Sequence, residues 1–182
     1  MKIKVSKFIR IAAVSAAVSL TAFGANAAGN HGHGHGGNIG KAGDPKSVTR
    51  TINVTMHDNY YEPEKLTIKE GETVRFVVKN EGQLVHEFNI ATADMHKAHG
   101  PEMMMMVEHG VLEADRINWD AAKKMQETMG HGMHDEPNSL LLEPGKSGEV
   151  IWTFPDHADL EFACNVPGHY DAGMMGEIKL TH

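Results

Sequence analysis

The stretch Cys164-Asn-Val-Pro-Gly-His169-Tyr-Asp-Ala-Gly-Met174 constrains the rest of the chain most, because it packs a thiol, an imidazole and a thioether into one loop. Pro167-Gly168 turns the backbone so that Cys164 and His169 can face one point, and Gly173 lets it fold back towards Met174. A thiolate, two imidazoles and a weak axial thioether suit a copper ion that gains and loses one electron with little rearrangement. The loop holds three of those four donors. Such a set works only when the scaffold holds the donors in place before the ion arrives, so a rigid framework is expected around it.

The fourth donor is expected from Val85-His-Glu-Phe-Asn-Ile90, where His86, Phe88 and Ile90 alternate with Val85, Glu87 and Asn89 in the manner of a strand. A strand-borne His paired with Cys-x4-His-x4-Met near the end of the chain resembles the cupredoxins, the blue-copper β-sandwich proteins. The resemblance covers roughly residues 48–90 and 139–182. It implies His86, Cys164 and His169 as strong copper ligands and Met174 as the axial one of a type 1 centre. Met175 competes for the axial place, since sequence does not fix the loop's conformation; the family's spacing favours Met174. Many cupredoxins carry Asn or Ser after the strand-borne His, and this chain has Glu87. Facing the centre, that charge would favour Cu(II) and lower the potential; facing solvent, as alternation allows, it would do little.

The remaining pattern is that of a scaffold of short strands. Ile52, Val54 and Met56 alternate with polar neighbours in 50–56, and 66–68, 73–78, 149–154, 160–162 and 176–180 read as further strands separated by turns such as Glu70-Gly71-Glu72 and Glu143-Pro-Gly-Lys146. About seven strands of this kind argue an all-β, antiparallel sandwich, and the resemblance implies Greek-key topology.

Residues 1–27 begin with Lys2, Lys4, Lys7 and Arg10, continue as an apolar run from Ile11 to Phe23 and end in Ala25-Asn-Ala27, which is the pattern of a cleavable secretory signal. Export to the periplasm is expected. The run is too short and too rich in Ala and Ser to span a bilayer, so no membrane insertion is expected. Cleavage after Ala27 leaves 28–182, enough for one domain, expected to be a monomer. The whole chain has 17 Lys and Arg against 24 Asp and Glu, and loss of the signal's bases makes it more acidic still. That excludes nucleic acid as a partner and favours cations, or a basic redox partner protein. With a single Cys there is no internal disulfide, and ligation explains a thiol in an exported chain. His31, His33 and His35 alternate with Gly in a tail (28–47) almost without apolar residues, expected to be disordered and to capture metal with little selectivity.

Residues 91–138 exceed a minimal sandwich. They read as helical: Thr92 can cap a turn, Gly100-Pro101 interrupts, Glu102 to His109 continues to a stop at Gly110, and Asp120 to Met129 ends at Gly130. Most of the chain's 12 methionines fall here. His99, Met103 and Met106 share one helical face, as do Met105 with His109 and Met125 with Met129. Thioethers suit Cu(I), so Met95, His99, Met103, Met106, His109, Met125, Met129, His131, Met133 and His134 are candidate auxiliary ligands; His96, Met104 and Met105 lie in the same stretch. Methionine is also an ordinary core residue.

Export signal, His-Gly tail, copper loop and Met/His-rich insertion together resemble the periplasmic copper-tolerance cupredoxins of the CopI type. The resemblance implies copper tolerance. Two other readings are an electron carrier using the edge of His169 as its port, and a cuprous oxidase in which Cu(I) in the insertion gives its electron to the type 1 copper. No Ser/His/Asp or paired-carboxylate arrangement suggests hydrolysis, and no Gly-rich strand-turn-helix suggests nucleotide binding.

Overall fold

A computed structural model describes residues 38–130, 133 and 136–182. The signal reading of 1–27 and the candidate ligands His31, His33, His35, His131 and His134 fall outside the described residues.

Apolar alternation builds two five-stranded sheets. One is ordered β1 (Lys41–Ala42), β8 (Ser147–Thr153), β5 (Thr73–Asn80), β2 (Arg50–His57) and β3 (Tyr60–Glu62). The other is ordered β4 (Lys65–Lys69), β10 (Met175–Thr181), β9 (Leu160–Ala163), β6 (His86–Ala91) and β7 (Ser139–Leu142). Between the sheets lie Val54, Met56, Phe76, Val78, Phe88, Ile90, Trp152, Phe162 and Ile178, all buried. The rings interlock: Tyr61 meets Phe162 edge-on with centroids 5.0 Å apart, and Phe88 lies 5.3 Å from Phe76.

The sandwich is mixed rather than wholly antiparallel. β2 pairs with β5 in parallel, Ile52 opposite Phe76, and β4 pairs with β10 in parallel, Ile68 opposite Leu180. Alternation gives the face of each residue but not the direction of the neighbouring strand. Strands β1, β3 and β7 were not expected, being two to four residues long and formed by pairing at sheet edges. β1 also corrects the reading of 28–47 as disordered throughout. Lys41 and Ala42 pair with Thr153 and Trp152, and the Trp152 indole N–H donates to the Ile39 carbonyl at 2.8 Å.

The insertion between β6 and β7 carries α1 (Ala93–Glu108) and α2 (Trp119–Met129). Thr92 caps α1, its hydroxyl accepting from the Met95 N–H, and Asn118 caps α2 through the Ala121 N–H. Gly130 ends α2 with φ of 70°, as the sequence led us to expect. Gly100-Pro101, read as an interruption, lies inside a continuous α1. Proline costs one backbone hydrogen bond, and burial of His96, Met103 and Met106 on either side of it holds the helix together. The helices close over a second apolar cluster, where Met103, Met106, Val111, Leu112, Ile117, Ala122 and Met125 pack with Val85 before β6, and with the partly buried Leu141 of β7. Among the described residues no helix is long and apolar enough to cross a membrane.

Candidate metal centre

β6 begins at His86 and β9 delivers Cys164 just beyond its last residue. The loop between β9 and β10 is closed at its neck by two backbone bonds, Cys164 N–H to the Met174 carbonyl at 3.1 Å and Met174 N–H to the His169 carbonyl at 3.0 Å. Gly168 and Gly173 have φ of 86° and 92°, the left-handed conformations that the turns require. The loop therefore has a set shape.

Inside it, Cys164 Sγ lies 3.3 Å from His169 Nδ1 and 3.9 Å from His86 Nδ1. These three donor atoms lie within 4.8 Å of one another. His86 and Cys164 are buried, while His169 is half-buried at the surface. Met174 is fully buried in the main core beside Cys164, whereas Met175 is 39% exposed.

Two residues that the sequence did not reveal shape this cluster. Asp58, in the turn after β2, accepts from His86 Nε2–H at 2.9 Å and from the backbone N–H groups of Gln83 and Leu84. That bond fixes the ring's tautomer and leaves the Nδ1 lone pair directed at the thiol. Gly82 permits the approach, since a Cβ there would sit 2.9 Å from His86 Nε2. Burial lowers the pKa of His86 in spite of Asp58, and burial with the neighbouring His86 lowers that of His169. Both rings are neutral donors at pH 7. Burial pushes the Cys164 thiol up to about 12 although the Glu87 N–H donates to its sulfur at 3.3 Å. A bound cation must therefore displace a proton from the thiol.

Glu87 takes neither of the two orientations considered from sequence alone. All six residues of β6 are buried, because the insertion covers the face that alternation assigned to solvent. The Glu87 carboxylate accepts from the Asn165 backbone and side-chain N–H groups at 3.1 and 2.8 Å, from the Ser139 hydroxyl at 2.5 Å and from the Asn89 amide at 3.2 Å. His99 Nε2 lies 3.7 Å from it. Burial opposes the charge on His99, but the carboxylates of Glu87 and Glu102 outweigh it and raise its pKa to about 9. Burial likewise opposes the charge of Glu87, and its partners overcome that and lower its pKa. An ion pair thus stands one residue from His86.

The other candidates divide. His99, Met103 and Met106 line a cavity of about 390 Å³ with Glu87, Met133 and Glu136. Met103, Met106 and Met125 are at the same time core residues of the insertion. Met95 is half-buried, Met129 and His109 are exposed, and His109 Nδ1–H donates to the Met105 carbonyl at 2.9 Å. His96 is buried with Nδ1 3.1 Å from the Asn165 side-chain oxygen.

The Cupredoxin-like domain family matches residues 14–103, a span that contains His86 and stops short of the 164–174 loop. The copper-resistant cuproprotein CopI of Pseudomonas aeruginosa is 44% identical over 168 residues, covering 87% of this chain and 90% of that protein. Its namesake from Rubrivivax gelatinosus is 36% identical over 152 residues, 83% and 78% of the two chains. In structure, auracyanin from Roseiflexus castenholzii superimposes with a TM-score of 0.52 at 19% identity, covering 74% of this chain and 99% of that one, a likeness of fold. Two sheets, a helical insertion between β6 and β7 and relatives matched over most of their length lead to one conclusion: the chain belongs to the CopI-type cupredoxins.

Proposed function

We propose that the protein is a periplasmic copper-tolerance cupredoxin that binds copper at a type 1 centre formed by His86, Cys164, His169 and Met174. The observation that carries this reading is the convergence of one buried sulfur and two neutral imidazole nitrogens on one point at the end of the core. The donor set fits copper, and copper bound there supplies a one-electron couple. The chain's own residues do the rest. Asp58 holds the His86 ring, the Glu87 N–H donates to the sulfur, and the zipped loop keeps His169 from swinging away. The contrast in burial between Met174 and Met175 supports Met174 as the axial donor. The half-exposed His169 offers the shortest way out for an electron, to a redox partner or from Cu(I) gathered elsewhere.

Excess copper is captured by auxiliary groups. Of the candidates, His99, Met103, Met106 and Met133 are the set that shares one cavity, and Glu87 connects that cavity to the centre, its carboxylate on one side and its N–H on Cys164 on the other. The His-Gly tail collects metal beyond the described residues.

Replacing Asp58 with alanine frees the His86 ring to rotate and should weaken copper binding by roughly tenfold to a hundredfold, the usual cost of losing a ligand's outer hydrogen-bond partner. Competition with a chelator of known affinity measures it. The function itself is tested in cells that lack the gene, complemented with the intact chain or with His86, Cys164 and His169 all replaced by alanine. The intact chain is expected to restore growth on copper and the variant to fail. Equal growth of the two would remove the centre from copper tolerance.

A further inference from the structure

A second cluster of metal-ligand type lies at the far end of the sandwich, made of Glu70, His157 and His182. Three separate chain segments supply it. Glu70 follows β4, His182 follows β10, and His157 sits in the loop between β8 and β9. The parallel register of β4 and β10, with Thr181 opposite Lys69, makes Glu70 and His182 the next neighbours, and the Glu70 N–H donates to the Thr181 carbonyl at 2.9 Å. The His157 loop is tied to the same turn through the Phe154 N–H and the Glu72 carbonyl at 2.9 Å. That turn is held in its own right, since the Glu72 carboxylate accepts from Arg50 Nε at 3.0 Å, from Thr49 at 3.1 Å and from the Lys69 N–H at 3.0 Å.

The donor atoms face one another. His157 Nδ1 lies 2.9 Å from one Glu70 oxygen and His182 Nδ1 2.8 Å from the other, and the three residues' donor atoms lie within 4.8 Å of each other. The carboxylate is mostly enclosed, at 15% exposure, and the rings are open to water at 75% and 81%. His157 adopts φ of 52°, a conformation uncommon outside glycine, and in it both its N–H (3.4 Å) and its ring reach Glu70. Two long-range imidazoles on one carboxylate exceed what a solvated surface needs.

We infer that Glu70, His157 and His182 form a surface site for a borderline divalent cation, Cu(II) or Zn(II), with two nitrogen donors, one carboxylate and the remaining positions left to water. This donor set suits first-row divalent ions and not the all-oxygen preference of Ca(II) or Mg(II). A bound cation would take the Nδ1 lone pair of each ring, leaving Nε2 to carry the ring N–H. The site is independent of the thiolate centre. The seven residues of β10 separate Met174 from His182, eight steps or roughly 26 Å at the rise of a strand. It extends the capacity of the domain for divalent metal at a place that needs neither sulfur nor a redox change.

The test is site-resolved. The full chain, labelled with 15N, is titrated with Zn(II) alone while the imidazole nitrogens are followed by two-bond correlation spectra. The Nδ1 resonances of His157 and His182 should shift together with one midpoint in the micromolar range. In Glu70→Gln and in His182→Ala the His157 midpoint should rise at least tenfold. The His182 side chain is exposed, so that variant keeps the fold even if the Glu70 variant loses it. Rings that respond only at millimolar zinc, or with different midpoints, or as well in His182→Ala as in the parent, would overturn the site. The thiolate-to-copper absorption of each variant should stay at the parental level, which separates the fate of this site from that of the Cys164 centre.

Discussion

The copper-loaded chain is expected to show an intense visible absorption, and replacing Cys164 with serine should abolish it and weaken binding at the proposed centre by more than roughly a hundredfold, beyond the cost of losing an outer hydrogen-bond partner. Such a band would arise from thiolate-to-copper charge transfer, and Cys164 is the chain's single sulfhydryl. Serine nearly matches cysteine in shape and can still accept from the Glu87 N–H, so the fold should survive and the loss should report on the ligand. A second signal comes from protons. Because burial pushes the thiol up to about 12, copper binding to the intact chain should release a proton at pH 7 that the serine variant does not release. Spectrophotometric titration, together with calorimetry in buffers of different ionisation enthalpy, measures both. A band of undiminished intensity in the variant would mean that another group holds the coloured copper.

Replacing Glu87 with alanine should cost about 3–5 kcal/mol of stability, because it leaves the buried Asn165 and half-buried Ser139 donors without their acceptor and the charged His99 without its partner. The pH dependence has a definite sign. Glu87, with its pKa lowered on folding, contributes stability that is present above the ordinary carboxylate value of 4.5 and is lost as the pH falls through its folded value. His99, raised from 6.5 to about 9, contributes stability that is complete below 6.5 and is lost as the pH rises towards 9. The variant's deficit should therefore be greatest between about pH 4.5 and 6.5 and shrink on either side. Urea denaturation of the metal-free chain across pH 3.5–9.5 checks it, and a deficit that does not vary with pH would refute the ion pair as its source.

The contrast between Cys164 and Glu87 shows what was legible. Cys164, His169 and Met174 are close in sequence, so spacing and turn residues alone bring them near one point, and His86 stands out as a donor at the head of an alternating strand. Asp58 carries no local signal of its role, since its bond to His86 spans 28 residues and depends on how one turn lies over another. Glu87 was hidden for a different reason. Alternation describes a strand with one wet face, and nothing local to β6 announces that α1 will cover that face. The methionines were ambiguous because helical periodicity that aligns donors also aligns core residues, and Met103 and Met106 serve in the second core while lining the cavity. Strand existence was readable where strands are long, but parallel pairing was not, since direction is decided by chain crossings.

β6 also bears on the order in which the molecule can assemble. Its inner residues, Phe88 and Ile90, belong to the sandwich, and its outer residues, Glu87 and Asn89, are polar. A nascent sheet with those side chains turned outward keeps them hydrated, while the apolar Val85 and Leu141 beside them wait for the helices to cover them. Docking of the insertion then exchanges water beside Glu87 for His99 of α1, while Asn165 and Ser139 come from the loop after β9 and from β7. The same six residues are thus compatible with an open, water-facing intermediate and with the closed native domain.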